Sequence, residues 1–489
     1  MFRRRARPCQ PAESGKCRRF RARRPGLRQN VAVQITSPPQ AGISRRRFLG
    51  TAGAIAAGAA APLILPGRLF GAPAPSDRVT LGFIGTGRQA MAMNIPEFLA
   101  VPGVQVAAVC DVDGWRLGEA RKLVEAHYAT QRPAGTYSGC AAYRDFRELL
   151  ARPDIDAVMI STPDHWHAVM AAAALRAGKD VSLEKPITRF IGEGRLLARL
   201  AATHSRVFRV DSEFRSLERF RRAVELVRNG RIGTLRTIRS GSPVEEFPEE
   251  SEAAAPVPPE LDYNLWLGPA PEVPYIQKRV HAPHDLKSRP GWFRSRLFAD
   301  GMLTNWGAHL NDIAQWGHGT ERTGPVEVKA TGRFHEGQVW NVLEQFDAWY
   351  RFADGVEMFY TMGEPHVRFE GDTGWIQVNY SRTAGHPELL EASSPAILKE
   401  RIGPDELQFP LKSERVDFIE AVRSRGQTME DAEVGQRTIS ICHLAYISIQ
   451  CGGATLRWDP VKERFPDDAA ANQLLAGPAP RAPWSLERS

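Results

Sequence analysis

Val79-Thr80-Leu81-Gly82-Phe83-Ile84-Gly85-Thr86-Gly87-Arg88-Gln89-Ala90 reads as a short apolar strand that runs straight into a glycine turn. A continuous apolar run of this length, without alternation, suits a strand buried on both faces, as in a parallel sheet. The Gly-x-Gly-x-x-Ala that follows opens a helix. Its first glycine permits a tight turn, its second lets the backbone approach a pyrophosphate, and the small Ala90 allows close packing of helix on strand, while free N–H groups face the phosphates. Gly85, Thr86, Gly87, Arg88 and Gln89 are therefore the expected phosphate loop. On its own the pattern is also that of an ordinary glycine turn. Asp111, which ends the next apolar run Val104–Cys110, supplies the missing partner. A carboxylate there accepts from both ribose hydroxyls and repels a 2′-phosphate, so the expected cofactor is NAD rather than NADP.

Outward from this unit, strand patterns over Asp156–Ser161, Asp180–Glu184 and Arg206–Val210 alternate with helical ones over Trp115–His127, His165–Ala177 and Glu193–His204. That alternation predicts βαβ units and a doubly wound parallel sheet. After about residue 211 a helix, Leu217–Asn229, is closed by Gly230, and longer alternating runs follow, such as Leu235–Gly241, Glu344–Phe352 and Val356–Met362. These read as a large open, mainly antiparallel sheet. The chain is thus an α/β protein divided into a leader (1–76), a Rossmann domain (77–211) and a second α/β domain (212–489).

Two further strand ends carry polar groups, where open parallel sheets bind ligands. One gives Ser161-Thr162-Pro163-Asp164-His165-Trp166-His167, the other Glu184-Lys185-Pro186. Pro186 restricts Lys185 to extended backbone and so directs its amine, which can donate to a substrate hydroxyl. In the second domain, Gly301–Trp316 reads as one helix ended by Gly317, with Asn305, His309 and Asp312 on one side of an apolar arc made by Met302, Trp306, Leu310 and Ile313. His309 there can take or return a hydroxyl proton; the same pattern also fits a hydrogen-bonded core histidine with a capping Asn. No metal is expected, since His165, His167 and His309 lack a strong ligand spacing.

The formal charge of +8 does not describe the body of the protein: residues 1–72 carry a net +14, and the remainder is at −6. A phosphate-steering surface for nucleic acid is therefore not expected. Within the leader, Ser44-Arg45-Arg46-Arg47-Phe48-Leu49 precedes a weakly apolar run from Ala52 to Leu65 and a small-residue region around Phe70–Ala74. The run is too short to span a bilayer. This three-part layout is that of a signal peptide, and the twin arginine points to export of a folded protein, hence to a periplasmic or other extracytoplasmic location without a stable membrane span. Residues 1–40 show no periodicity and fit an over-extended reading frame. Of the six cysteines, Cys9 and Cys17 fall in the leader, and the spacing of the rest suits neither a metal site nor a disulfide framework.

From about Arg78 to Leu486 the chain resembles the glucose-fructose oxidoreductase/inositol dehydrogenase/MocA-like (Gfo/Idh/MocA) oxidoreductases, in their twin-arginine-exported bacterial branch. The resemblance rests on GTGRQA, AVCDVD (108–113), STPDHWHA (161–168), EKP (184–186), ELVRNGRIG (225–233), WLGPAP (266–271), GMLTNWGAHLNDIAQWG (301–317) and RAPW (481–484). It implies a second domain with a large open sheet that mediates homo-oligomers, and hydride exchange between a nicotinamide cofactor and a sugar or cyclitol. It further implies Lys185 as the catalytic lysine and His309 as acid/base. Glu184, Ser161, Thr162 and Pro163 would lie along the nicotinamide half of the cofactor, and we group His165 with them. The departure is Asn305, where relatives commonly carry Asp: an amide orients an imidazole without stabilising its charged form. Two rival readings stay open beside the dehydrogenase: a redox-neutral NAD-dependent glycoside hydrolase or lyase working through a keto-sugar, and a non-catalytic sugar-binding protein that retains NAD.

Overall fold

Six short strands make the first sheet of the computed structural model, which describes residues 78–130, 137–248, 253–380 and 389–486. The expected leader, its twin arginine, Cys9 and Cys17 lie outside the described residues. The strands are β1 (Val79–Ile84), β2 (Val104–Cys110), β3 (Ala141–Tyr143), β4 (Ala157–Ile160), β5 (Asp180–Glu184) and β6 (Phe208–Asp211). They pair in parallel in the order β3-β2-β1-β4-β5-β6, the doubly wound arrangement whose strand order reverses beside β1. Their apolar runs are buried because helices cover both faces. Gly114–His127 is capped by Asp113, whose side chain accepts from the N–H groups of Trp115 and Arg116. Ile191–Thr203 buries Ile191, Leu197 and Ala201.

The second sheet has eight strands in the order β13-β12-β11-β7-β10-β9-β8-β14. They are β7 (Leu235–Ser242), β8 (Glu327–Phe334), β9 (Leu343–Arg351), β10 (Glu357–Met362), β11 (His366–Gly371), β12 (Trp375–Asn379), β13 (Leu390–Ala392) and β14 (Leu456–Arg457). All neighbours are antiparallel except β7 and β10, which run parallel, so the sheet is mainly antiparallel, as expected, with one parallel pair at its centre. One face buries Ile238, Phe346, Tyr350, Met358, Tyr360, Val367 and Phe369. Helices Glu218–Arg228, Gly307–His318 and Ala432–Gln450 belong to the same core.

The two sheets are stitched together beyond a single crossover. Helix Glu414–Ser424 buries Phe418, Ile419 and Val422 in the core of the first sheet, although it comes late in the chain. The C-terminal segment also returns to the first domain: Trp484 packs edge-on against Trp166 at 4.7 Å, and Arg176 donates to the Leu486 carbonyl at 2.6 Å. Among the described residues no helix is long and apolar enough to cross a membrane.

Candidate active site

The carboxyl ends of β1, β2, β4 and β5 open into a cleft of about 710 Å³ whose other wall comes from the second domain. At its dinucleotide end Gly85 has φ of +86°, and a Cβ there would stand 2.7 Å from the Ser161 carbonyl oxygen, so both backbone and space demand glycine. At Gly87 the nearest atom to such a Cβ is Arg116 Nη1 at 3.6 Å; bareness here opens the loop toward the cleft rather than easing internal packing. Gly85, Gly87, Arg88, Gln89 and Asp111 all line the cleft. Thr86 does not. It is buried, and its N–H and hydroxyl donate to one Asp111 oxygen at 2.7 and 3.0 Å while the Asp113 N–H donates to the other at 2.9 Å. Thr86 therefore fixes the carboxylate rather than meeting a phosphate.

Ser161, Thr162, Pro163 and Asp164 line the cleft at the end of β4, but His165 stands behind it. Its Nε2–H donates to the Trp266 carbonyl at 3.1 Å, its ring lies 5.0 Å from Phe298, and burial pushes its pKa down to about 3. The expectation that His165 touches the cofactor is corrected accordingly: the residue props the short turn that presents Asp164. His167 bridges the two strand ends instead, with Nδ1 2.7 Å from the Pro186 carbonyl and Nε2 3.0 Å from that of Thr162.

Glu184 and Lys185 both line the cleft. Burial, reinforced by Asp211, pushes Glu184 up to about 8, and the Asn94 amide donates to it at 3.0 Å. The same amide reaches Ser161 Oγ at 2.7 Å, so Asn94, a residue absent from the sequence reading, ties the ends of β4 and β5 together. Lys185 Nζ donates to the Asn305 main-chain oxygen at 3.2 Å, and burial lowers its pKa against the opposing pull of Glu184 and Asp164. Asp164 is itself pushed up to about 7 by burial, with Lys185 resisting.

Asn305 and His309 line the opposite wall. They do not share one helix: Met302–Asn305 and Gly307–His318 are separate segments broken at Trp306, and the second ends at Gly319 rather than Gly317. Asp312 shares the second segment with His309 but turns away from the cleft. Asp312 is fully buried in a two-pronged ion pair with Arg215, at 2.6 and 2.7 Å, and is not a cleft residue. It cannot replace the missing carboxylate at position 305. His309 Nδ1 lies 2.9 Å from Ser212 Oγ, and its ring stacks on Phe214 at 4.6 Å, which fixes the imidazole plane. Phe214, Trp306 and Tyr380 extend the wall as an aromatic shelf, with Phe214 and Tyr380 stacked at 4.7 Å. Flat apolar faces beside polar groups suit a sugar ring. Among the described residues no cluster of three His, Cys, Asp or Glu residues could hold a metal.

A doubly wound sheet with a glycine phosphate loop, an acid after β2 and a buried lysine at the same cleft defines a dinucleotide-dependent oxidoreductase fold. The chain belongs to the Gfo/Idh/MocA oxidoreductase family: the NAD-binding Rossmann model matches residues 79–212, and the C-terminal α/β model matches residues 248–486. NAD is the cofactor of this fold, and the glycine cradle at Gly85 and Gly87 with Asp111 fits it. A glycosyl hydrolase family 109 protein of Saccharopolyspora erythraea is 39% identical over 117 residues, 24% of each chain. The alpha-N-acetylgalactosaminidase of Shewanella oneidensis is 35% identical over 167 residues, 31% of this chain and 35% of that one. These matches span only about a quarter to a third of the relatives' length. Among solved structures, the aldose-aldose oxidoreductase of Caulobacter crescentus complexed with glycerol has a TM-score of 0.56 at 16% identity, covering 78% of this chain and 99% of that one. The scyllo-inositol dehydrogenase of Lactobacillus casei with NAD(H) and scyllo-inositol gives 0.53 at 18% identity, with the same coverage.

Proposed function

We propose that the protein is an NAD-dependent oxidoreductase acting on a hydroxyl of a sugar or cyclitol, with Lys185 and His309 as the proton-handling pair. The observation that carries this reading is the convergence of Lys185, His309 and Asn305 on one cleft with the phosphate loop and the aromatic shelf. Bound there, oxidised nicotinamide supplies a hydride acceptor for the carbon that bears the hydroxyl. Lys185, its ammonium disfavoured by burial and aimed by the Asn305 carbonyl, orients that hydroxyl and relieves it of its proton. His309, its plane fixed by Phe214 and Ser212, exchanges the proton onward.

A second reading, cleavage of a glycosidic bond without net NADH, is favoured by the relatives named as family 109 glycosyl hydrolases. Purified protein should release NAD on denaturation. NADH accumulating with sugars marks the first reading; turnover of an aryl glycoside with none marks the second. Lys185→Ala and His309→Ala should each lower turnover by roughly 10²–10⁴-fold, the range for a positioned proton-transfer group, without comparable loss of NAD. Stabilisation by sugar with no turnover of either kind would leave a binding protein. We also propose export by the twin-arginine route, so that replacing Arg45 and Arg46 by Lys should hold the precursor in the cytoplasm on fractionation.

A further inference from the structure

Residues 281–290 of the second domain cross to the dinucleotide end of the cleft and are fastened there at several points. His281 Nε2 lies 2.9 Å from Asp113 Oδ2. Arg116 donates to the Asp285 carbonyl at 2.6 Å, and Arg88, inside the phosphate loop, donates to the Lys287 carbonyl at 3.0 Å. The Asp285 side chain folds the strap on itself by accepting from the N–H groups of Lys287 at 2.7 Å and Ser288 at 3.1 Å, and the His284 ring lies 5.1 Å from Trp115. Immediately past the strap, the Gly291 N–H donates to the Lys278 carbonyl at 3.0 Å.

Within the strap, directly after Ser288, Arg289 lines the cleft with its guanidinium carbon 4.1 Å from the centre of the Phe293 ring. Among the described residues it has no hydrogen bond or ion pair; the nearby Glu245 is taken by Arg294 at 2.7 Å. Arg289 lines the same cleft as Arg88 and Lys185, and it follows by two residues the Lys287 carbonyl that holds Arg88 of the phosphate loop. Of the three, Lys185 faces Glu184 and Asp164 and Arg88 donates to the Lys287 carbonyl, which leaves Arg289 as the guanidinium whose charge a ligand can meet. A dinucleotide laid from Asp111 to Lys185 carries its two negative charges beside the phosphate loop, the end of the cleft that the strap crosses. A guanidinium fork also matches phosphate oxygens better than a point charge does.

We propose that residues 281–290 act as a clasp over the bound dinucleotide, in which Arg289 pairs with the pyrophosphate from the side opposite the glycine loop. The inference rests on NAD occupying this cleft. It makes cofactor retention a property of the second domain: the dinucleotide leaves only after the strap lets go of Arg88 and Arg116. A cofactor held in this way suits a site that reuses one NAD molecule.

The test is the rate at which NAD leaves the holoprotein, followed by native mass spectrometry after removal of free cofactor. Arg289→Gln should release NAD roughly 10–100-fold faster, as for loss of one charge-assisted contact, and with a weaker dependence on salt. Arg289→Lys, which keeps the charge and the stem, should fall between it and the wild type. Arg236→Gln, which removes a cation from β7 away from the cleft, should release NAD at the wild-type rate. Release from both Arg289 variants at the wild-type rate would overturn the proposal. Unchanged release with weakened binding of a sugar carboxylate such as glucuronate would also overturn it and assign Arg289 to substrate. A wild type that binds no NAD at all would overturn the functional reading beneath it, and this proposal with it.

Discussion

Asp164 shows how a single buried group sets a measurable property. Its carboxyl is pushed up to about 7 by burial, so the folded protein holds a proton there that the unfolded chain releases near the ordinary carboxylate range. The contribution to stability is therefore full at acid pH and is lost as pH rises through about 7; Glu184, raised to about 8, works in the same direction. Asp164→Asn keeps the shape without the ionisation, so its melting temperature should fall less than that of the wild type between pH 5.5 and 8.5. Equal falls in the two proteins would show that Asp164 is ionised without penalty. At this scale the motifs located the cleft but could not say which side chains turn into it. Lys185, Asp111 and His309 line it as read, whereas Thr86 and His165, inside the same motifs, point into packing. Arg289 was invisible because no local pattern joins residue 289 to the loop at 85–89; only tertiary closure does.

Whole elements were more legible where periodicity alone decides them. β1, β2 and β5 have the bounds their apolar runs suggest, since strands buried on both faces leave unbroken hydrophobic stretches. The helix read across 301–316 is divided at Trp306, and the residue after the division packs unusually closely. At Gly307 an added Cβ would lie 2.3 Å from Cys442 Sγ and 3.0 Å from the Tyr360 hydroxyl, so the segment can approach helix Ala432–Gln450 and β10 only without a side chain. Period and propensity are blind to that approach. Gly307→Ala should destabilise the fold by about 1–3 kcal/mol, the usual cost of overpacking, even though alanine is the better helix former. Denaturant unfolding reads this directly, and a stabilised variant would mean that Cys442 moves aside at no cost. The parallel pairing of β7 with β10 was equally hidden, because alternation reports a half-buried strand but not its partner's direction.

At the scale of the molecule, the eight-stranded sheet buries one face on helices and leaves the other without a covering element among the described residues. Across that open face Lys329, Trp349, Phe359, Arg239, Arg368 and Gln377 stand in register on six successive strands, from β8 to β12. Arg239 lies 4.8 Å from the Phe359 ring centre and Arg368 3.8 Å from that of Trp375, and Glu370 pairs with both arginines. Half-buried aromatics flanked by stacked arginines, over a surface this broad, have the composition of an interface core rather than of a solvated sheet. We propose that a second copy of the chain covers this face about a two-fold axis, so that the row meets its own counterpart in an isologous contact. Because Phe359 sits near the middle of the row and makes none of the site's contacts, Phe359→Glu should place like charges opposite each other across the axis and convert the assembly to monomers. Sedimentation should then report half the wild-type mass while NAD binding persists, because none of the six residues of the row lines the cleft. A wild type that sediments as a monomer, or a variant that keeps the wild-type mass, would remove the open sheet from the assembly.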